Sequence, residues 1–365
     1  MKRNHTIVLI IVAVCVVATG TAFGILFFTT WGEINYENTY YYDPTSPSSI
    51  EQININSDIG SVLINYNKTP TNYYAQIDLG IHIEGILVKG SSFSDFFYPP
   101  TWDNVSTPIT TFTLDAKATT WFIFGVFRQI QINLTLRTDV IYDLNILTST
   151  GGIKLNIPEN IVVNNTKLAT STGAILLNAA QNTTFYGDVG LSTSTGAINL
   201  YAKQVNFTRN LIAFTSTGKI GLNFSQSSIG GDLSGTSSTG EIVFKSYNMK
   251  YSEGNTWSLE SSTGTIGVTI LQYTEMDANI VGSIQSSTGT INIYYKDNLA
   301  SVGAMFTCST STGHNNFSPL GSGGFDVAFS NPKIIISSDY GTAINKYTFT
   351  ATSSTGNNNV QGESL

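Results

Sequence analysis

The sequence predicts an all-β chain dominated by a parallel β-solenoid, and three observations carry that prediction. The tripeptide Ser-Thr-Gly occurs nine times, ending at Gly151, Gly173, Gly196, Gly218, Gly240, Gly264, Gly289, Gly313 and Gly356, where composition alone gives about one. The first eight of these glycines are 22, 23, 22, 22, 24, 25 and 24 residues apart, so a coil takes about 22–25 residues, a solenoid period. Aligned on the glycine, apolar side chains then fall into columns. Two residues after it stand Ile153, Ile175, Ile198, Ile220, Ile242, Ile266 and Ile291, and four after it Leu155, Leu177, Leu200, Leu222, Phe244, Val268 and Ile293. Both positions lie on one side of a period-two strand.

Taken in order, the chain opens with an uncharged run, Ile7–Thr29, after Lys2 and Arg3. About 22 residues at ~1.5 Å each span a bilayer core as a helix. The first charge beyond the run is Glu33, so the positive-inside bias predicts residues 1–6 in the cytoplasm, an uncleaved signal anchor over 7–29, and the rest outside the cell. A cleaved signal peptide ending near Gly20-Thr21-Ala22 is the alternative. Residues 30–49 read as a linker, with Trp31, Tyr36 and Tyr40–Tyr42 suited to the headgroup region and a Pro/Ser-rich spacer after them.

Residues 50–146 read as an opening coil followed by an insert. Ile53, Ile55, Val62 and Ile64 flank Gly60 in the phase of the later repeats. Between Gly60 and Gly151 lies an aromatic cluster, Phe93, Phe96, Phe97, Tyr98, Trp102, Trp121, Phe122, Phe124 and Phe127. We read it as a cap over the open core, an adhesive loop being the alternative. Residues 147–360 form the repeats. Five residues before the glycine a third core column holds Ile146, Leu168, Leu191, Ala213, Gly235, Leu259, Ile284 and Cys308, which makes Cys308 a small core residue. The glycine needs a positive φ at a corner, and the Ser and Thr before it are expected to stack as a hydroxyl ladder that sets register. Nine such coils predict a rod of roughly 45 Å. Residues 319–350 are expected to form one degenerate coil, and Asn357–Asn359 with Gly362–Leu365 a polar end that stops edge growth.

Composition excludes several classes. With 17 Lys and Arg against 24 Asp and Glu, the net charge of −7 leaves no basic stripe for nucleic acid. Two cysteines, Cys15 and Cys308, give no disulfide framework, and His5, His82 and His314 have no metal-ligand spacing, so neither metal nor cofactor is expected. A β-helix hydrolase or lyase needs paired carboxylates in neighbouring coils. Asp143, Glu159, Asp188, Asp232, Glu260, Glu275 and Asp297 find no charge at the same phase in an adjacent coil. Lys219 and Glu241 do match and read as a surface ion pair, while Glu253 and Asp277 match without a third group. No catalytic residue is assigned. Asn-x-Ser/Thr sequons at Asn67, Asn104, Asn133, Asn164, Asn182, Asn206, Asn223 and Asn316 are candidate glycosylation sites.

The stacked phrase Thr-Ser-Ser-Thr-Gly-x-Ile, with Ile53-Asn-Ile55, Ile59-Gly-Ser-Val62-Leu-Ile64 and Leu144-Asn-Ile146 before it, resembles the putative adhesin domains of unknown function of bacteria and archaea. The resemblance covers about residues 50–360. It implies a right-handed parallel β-helix on the cell surface and supplies no catalytic residues. The expected function is a membrane-anchored, non-enzymatic adhesion or spacer module with a surface glycan or protein as ligand. The alternatives are a carbohydrate-binding or carbohydrate-processing β-helix, and an envelope scaffold or sensor with a protein partner.

Overall fold

The computed structural model describes residues 19, 21, 30–46, 48–68, 72–86, 88–103, 108–117, 127–252, 254–320, 324–330 and 332–364. Nearly all of the anchor expected over Ile7–Thr29 falls outside this set. Among the described residues no helix is long and apolar enough to cross a membrane. They form two large, mostly parallel sheets in a β-helix-like stack. Each central coil gives one strand to the first sheet and two to the second, one of these a two-residue strand such as Asn206–Phe207. In the central coils the strand after the glycine, such as Ile220–Ser225, joins the first sheet, and the strand before it, such as Leu211–Thr217, joins the second. Pairing is in register, Ile198↔Ile220↔Ile242, so the columns read from the sequence are stacked contacts. Ile220, Leu222 and Ala213 are buried, as are their counterparts above and below. Each fully buried aliphatic side chain contributes about 1.5–3 kcal/mol. Cys308 is buried in this core, and burial pushes its thiol up to about 12.

The first corner depends on glycine. At the nine Ser-Thr-Gly glycines φ lies between 141° and 158°, where a side chain is penalised. A Cβ on any of them would also run into the carbonyl oxygen of the glycine one coil below, from Gly151 over Gly60 up to Gly313 over Gly356. That carbonyl accepts a hydrogen bond from a buried hydroxyl of the next coil. Thr170 Oγ1 donates to Gly151 O at 2.9 Å, Thr215 to Gly196 O at 3.2 Å, and Ser353 Oγ to Gly289 O at 3.0 Å. The donor stands three residues before the glycine. The Ser and Thr of the motif itself, such as Ser171 and Thr172, are exposed instead. The motif threonines do stack in register, Thr172↔Thr195↔Thr217, but exposed at the corner; the hydroxyl that bonds across coils stands one position before the motif, where it is buried, and donates to backbone.

Two further corners repeat. Asn160, Asn182, Gln204, Gln226 and Asn248 adopt φ of 49° to 63° at one of them. At the other, eight residues before the glycine, side-chain oxygens of Asp143, Asn165, Asp188, Asn210 and Asp232 each accept the backbone N–H of the residue above. These bonds run to Asn165, Asp188, Asn210, Asp232 and Thr256 at 2.8, 3.1, 3.1, 2.9 and 2.8 Å. Acid and amide alternate up this column, which keeps like charges two rungs apart; directly stacked like charges are destabilising.

At both ends the spatial order departs from the chain order. The coil of Glu51–Ile59 and Ser61–Asn67 lies between Ile109–Leu114 with Phe127–Arg137 on its outer side and Tyr142–Ile157 on its inner side. At the other end, Asn345–Thr355 and Asn358–Glu363 insert between Ile280–Asp297 and Val302–Pro319. The expected polar terminus is thus an inner strand, with Val360 and Ser364 buried. Residues 319–350 do not make a coil of their own. They supply an antiparallel hairpin, Phe325–Ser330 with Lys333–Ser337, that pairs with Met305–Cys308, and the start of the inserted strand Asn345–Thr355. Both terminal coils carry asparagine where earlier coils hold isoleucine, Asn315 and Asn358; the inserted coil buries Val360 four residues after its glycine, whereas Phe317 of the outermost coil is only partly buried. The first sheet's parallel stack has eleven rungs among the described residues, not nine, or about 48 Å at ~4.8 Å per step.

Gly32–Tyr42 lies within the expected linker. It is a strand paired antiparallel with Ala75–Gly85, which pairs in turn with Phe127–Arg137. Tyr42 is buried, and its hydroxyl donates to the buried Glu51 Oε2 at 2.7 Å, tying this segment to the first coil. Most of the described aromatic insert packs inward, Tyr98 being exposed. Phe97 and Phe112 are buried, and Phe93 stacks on Tyr36 and Phe97 with centroids 4.0 and 5.2 Å apart. Trp121, Phe122, Phe124 and the side chain of Phe127 lie outside the described residues.

Two outcomes test these corners. Gly218→Ala is expected to destabilise by about 3–5 kcal/mol, because backbone must move, and Thr215→Val by about 1–2 kcal/mol through the orphaned Gly196 carbonyl. Chemical denaturation that ranked the two variants in reverse would contradict the corner. Asn210→Asp would stack three acids and is expected to cost roughly 0.5–1 kcal/mol at low salt, recovered in melts at high ionic strength.

Candidate functional site

Because the inward residues are committed to the core, chemistry is confined to the outward face of each strand. On the first sheet the outward positions are three, five and seven residues after the glycine. Small residues Pro158 and Ala180 meet taller neighbours Tyr201 and Lys203 there, and this difference in height makes a depression of about 610 Å³. Its floor includes Ala179 and Phe224, and it runs across the coils from Asn65 to Lys245. A second depression on the same face, about 760 Å³, lies over Thr269, Asn292, Tyr294 and Gln361.

Amide ladders line both. Asn156 Nδ2 donates to Asn65 Oδ1, and Asn178 Nδ2 to Asn156 Oδ1, each at 2.9 Å. In the second depression Asn316 Nδ2 donates to Asn359 Oδ1, and Asn359 Nδ2 to Asn292 Oδ1, also at 2.9 Å. Such a row presents hydrogen-bond donors and acceptors at coil spacing. Aromatic rings stand beside it: Tyr201 is 49% exposed and Tyr247 39%. Tyr247 meets Tyr273 edge-on with centroids 6.0 Å apart. Exposed rings beside amides suit ligands with alternating apolar and hydroxyl surfaces.

The acids singled out in the sequence are not on this face as a group. Asp143, Asp188 and Asp232 belong to the corner ladder. Glu260 accepts from Ser258 Oγ at 2.7 Å on the second sheet. Asp277 is 3.4 Å from Lys250, and Glu253 lies outside the described residues. Lys219 and Glu241 do pair, at 2.7 Å. No group of three or more His, Cys, Asp or Glu side chains placed to hold a metal ion occurs among the described residues.

Asp297 is buried under the inserted C-terminal strand. Its carboxylate accepts from Ser364 Oγ at 3.0 Å, and the same hydroxyl lies 3.4 Å from Asp339. Burial pushes the Asp297 carboxyl up to about 6, with the neighbouring Asp339 charge adding to it.

The sequons scatter. Asn182 and Asn206 are exposed near the corners away from the glycine, and Asn316 is exposed on the last strand of the first sheet. Asn164 donates to Asp143 Oδ1 at 2.8 Å, and its sequon threonine, Thr166, is buried. Asn67 and Asn133 lie half-buried in strands, Asn223 lines the first depression, and Asn104 is outside the described residues. Sequence reasoning missed the amide row. Its signal was Asn65, Asn156, Asn178 and Asn223, all five residues after their glycines.

No family model matches the chain, and no curated protein matches it. Among solved structures, a putative cell adhesion protein from Clostridium sporogenes aligns at 11% identity, covering 90% of this chain and 100% of that one, with a TM-score of 0.27. A putative adhesin from Bacteroides fragilis aligns at 12% identity over 90% of this chain and 97% of that one, with a TM-score of 0.30.

One outcome follows for Asp297. A folded value near 6, against about 4 when unfolded, means the native state binds the extra proton. Stability therefore rises as pH falls from 7 through 6 and levels off near 4. Asp297→Asn is expected to stabilise the protein at pH 7 by roughly 2–3 kcal/mol and to flatten that rise. A pH series of thermal melts checks both.

Proposed function

We propose that the chain is a membrane-anchored, cell-surface adhesion module without catalytic activity, and that the outward face of its first sheet is the binding face. In this reading the N-terminal run is the anchor, the stack is a right-handed β-helical rod, and surface glycans are the ligands. The observation that carries it is the row of amides and exposed tyrosines along one continuous face. Repeated polar groups at strand spacing favour a ligand that itself repeats. The face belongs to a sheet whose corners are held by backbone hydrogen bonds, so it is rigid before any ligand arrives and little ordering opposes binding.

The test uses the full chain displayed on intact cells and probed against a glycan array. Binding to a restricted set of linear glycans without release of shortened products, and loss of that binding after external protease treatment, is the expected outcome. Product release would replace the adhesion reading with an enzymatic one. Insensitivity to protease would overturn the topology. The array must use the whole chain, since a fragment starting at Ser49 would lack the strand Gly32–Tyr42.

A further inference from the structure

The charges of the first sheet's solenoid face do not follow those of the whole chain. The protein carries a net −7, yet only one acid, Glu363, occupies an outward position on the described solenoid strands of this sheet after Ile153, and one more, Glu241, stands just before the strand Ile242–Tyr247. Both are neutralised, Glu241 by Lys219 at 2.7 Å and Glu363 by Lys296 at 2.6 Å. Lys154, Lys203 and Lys245 stand exposed on the same strands, and none of them is in an ion pair among the described residues. Two of the three, Lys203 and Lys245, line the first depression, and no carboxylate does. Glu159 follows Pro158 at the corner and is not part of the lining.

We propose, building on the adhesion reading, that this depression is a subsite for an anionic linear polysaccharide, one bearing carboxylate or sulfate groups. The depression spans six rungs, Asn65 to Lys245, or about 24 Å at ~4.8 Å per step, which suits several sugar units of an extended chain better than one compact molecule. Tyr201 offers a ring against which a sugar face stacks. The amides of Asn65, Asn156 and Asn178 offer hydroxyl partners. Lys203, two residues along the same strand as Tyr201, and Lys245, two rungs further along the stack in the column of Tyr201, supply unneutralised positive charge. A neutral glycan would use the ring and the amides but leave both lysines without partners, so the charge selects the anionic class.

Calorimetric titration of the full chain with hexagalacturonate, sulfated isomaltohexaose and unsubstituted isomaltohexaose tests the proposal. The charged hexamers are expected to bind at least tenfold more tightly than the neutral one, with affinity falling as salt rises. Whichever charged hexamer binds identifies the acidic group. Tyr201→Ala and the double variant Lys203→Gln/Lys245→Gln are each expected to weaken binding about fivefold to tenfold. All three side chains are exposed, so melts should be unchanged, and Tyr294→Ala in the second depression should leave affinity as it was. Equal binding of the neutral hexamer overturns the anionic assignment while leaving the adhesion reading intact. Binding of none of the three, or binding indifferent to the Tyr201 and lysine variants, overturns the subsite itself, and the cell-surface array then decides the adhesion reading separately.

Discussion

Each coil turns its first corner on a glycine whose carbonyl oxygen is approached too closely from above for any side chain to fit, and is hydrogen-bonded by a buried hydroxyl of the next coil. That contact fixes the height of one coil over another and the phase of the strands on either side. The inward columns of isoleucine and leucine can stack only because the corner sets their register, since a slip of one residue would send every core side chain to solvent. The Asp and Asn ladder at a second corner performs the same task by a different route. Side-chain oxygens there capture backbone N–H groups of the neighbouring coil, and the alternation of acid with amide avoids a stack of like charges.

A stack built this way has two open ends, each exposing apolar surface and unpaired strand edges. Both are handled by the same topological device. At each end one coil is placed a layer in and a coil from elsewhere in the chain is laid over it, with antiparallel strands beyond. At the N-terminal end the cover includes the tyrosine-rich strand Gly32–Tyr42 and the described part of the aromatic insert. At the C-terminal end it includes the hairpin Phe325–Ser337. Edges capped by antiparallel strands and loops resist further pairing.

Division of labour follows from this. Corners and inward columns are fully occupied with holding the rod, and the outward face of the first sheet is free to vary from coil to coil. The non-repeating residues Tyr201, Lys203 and Lys245 gather there. The buried Asp297 and Ser364 sit at the point where the inserted strand closes the C-terminal end, so the one strongly perturbed carboxyl discussed above concerns stability and not the face.

Much of this was legible in the sequence because a solenoid repeats its physical demands. The period, the three core columns, the buried Cys308 and the Lys219–Glu241 pair all follow from aligning coils on glycine, since residues at one phase meet the same neighbours in every turn. The same logic held the amide row and the Asp/Asn corner, but only a search for like residues at one phase, and not for charges, would have found them. What the tertiary structure alone decided lies where the repeat ends. The order of the terminal coils, the burial of Val360 and Ser364, and the pairing of Gly32–Tyr42 depend on which surfaces remained uncovered, a property of the assembled stack that no local pattern encodes. That the hydroxyl bonded across coils is the one three residues before the glycine likewise depended on which residues the corner buries.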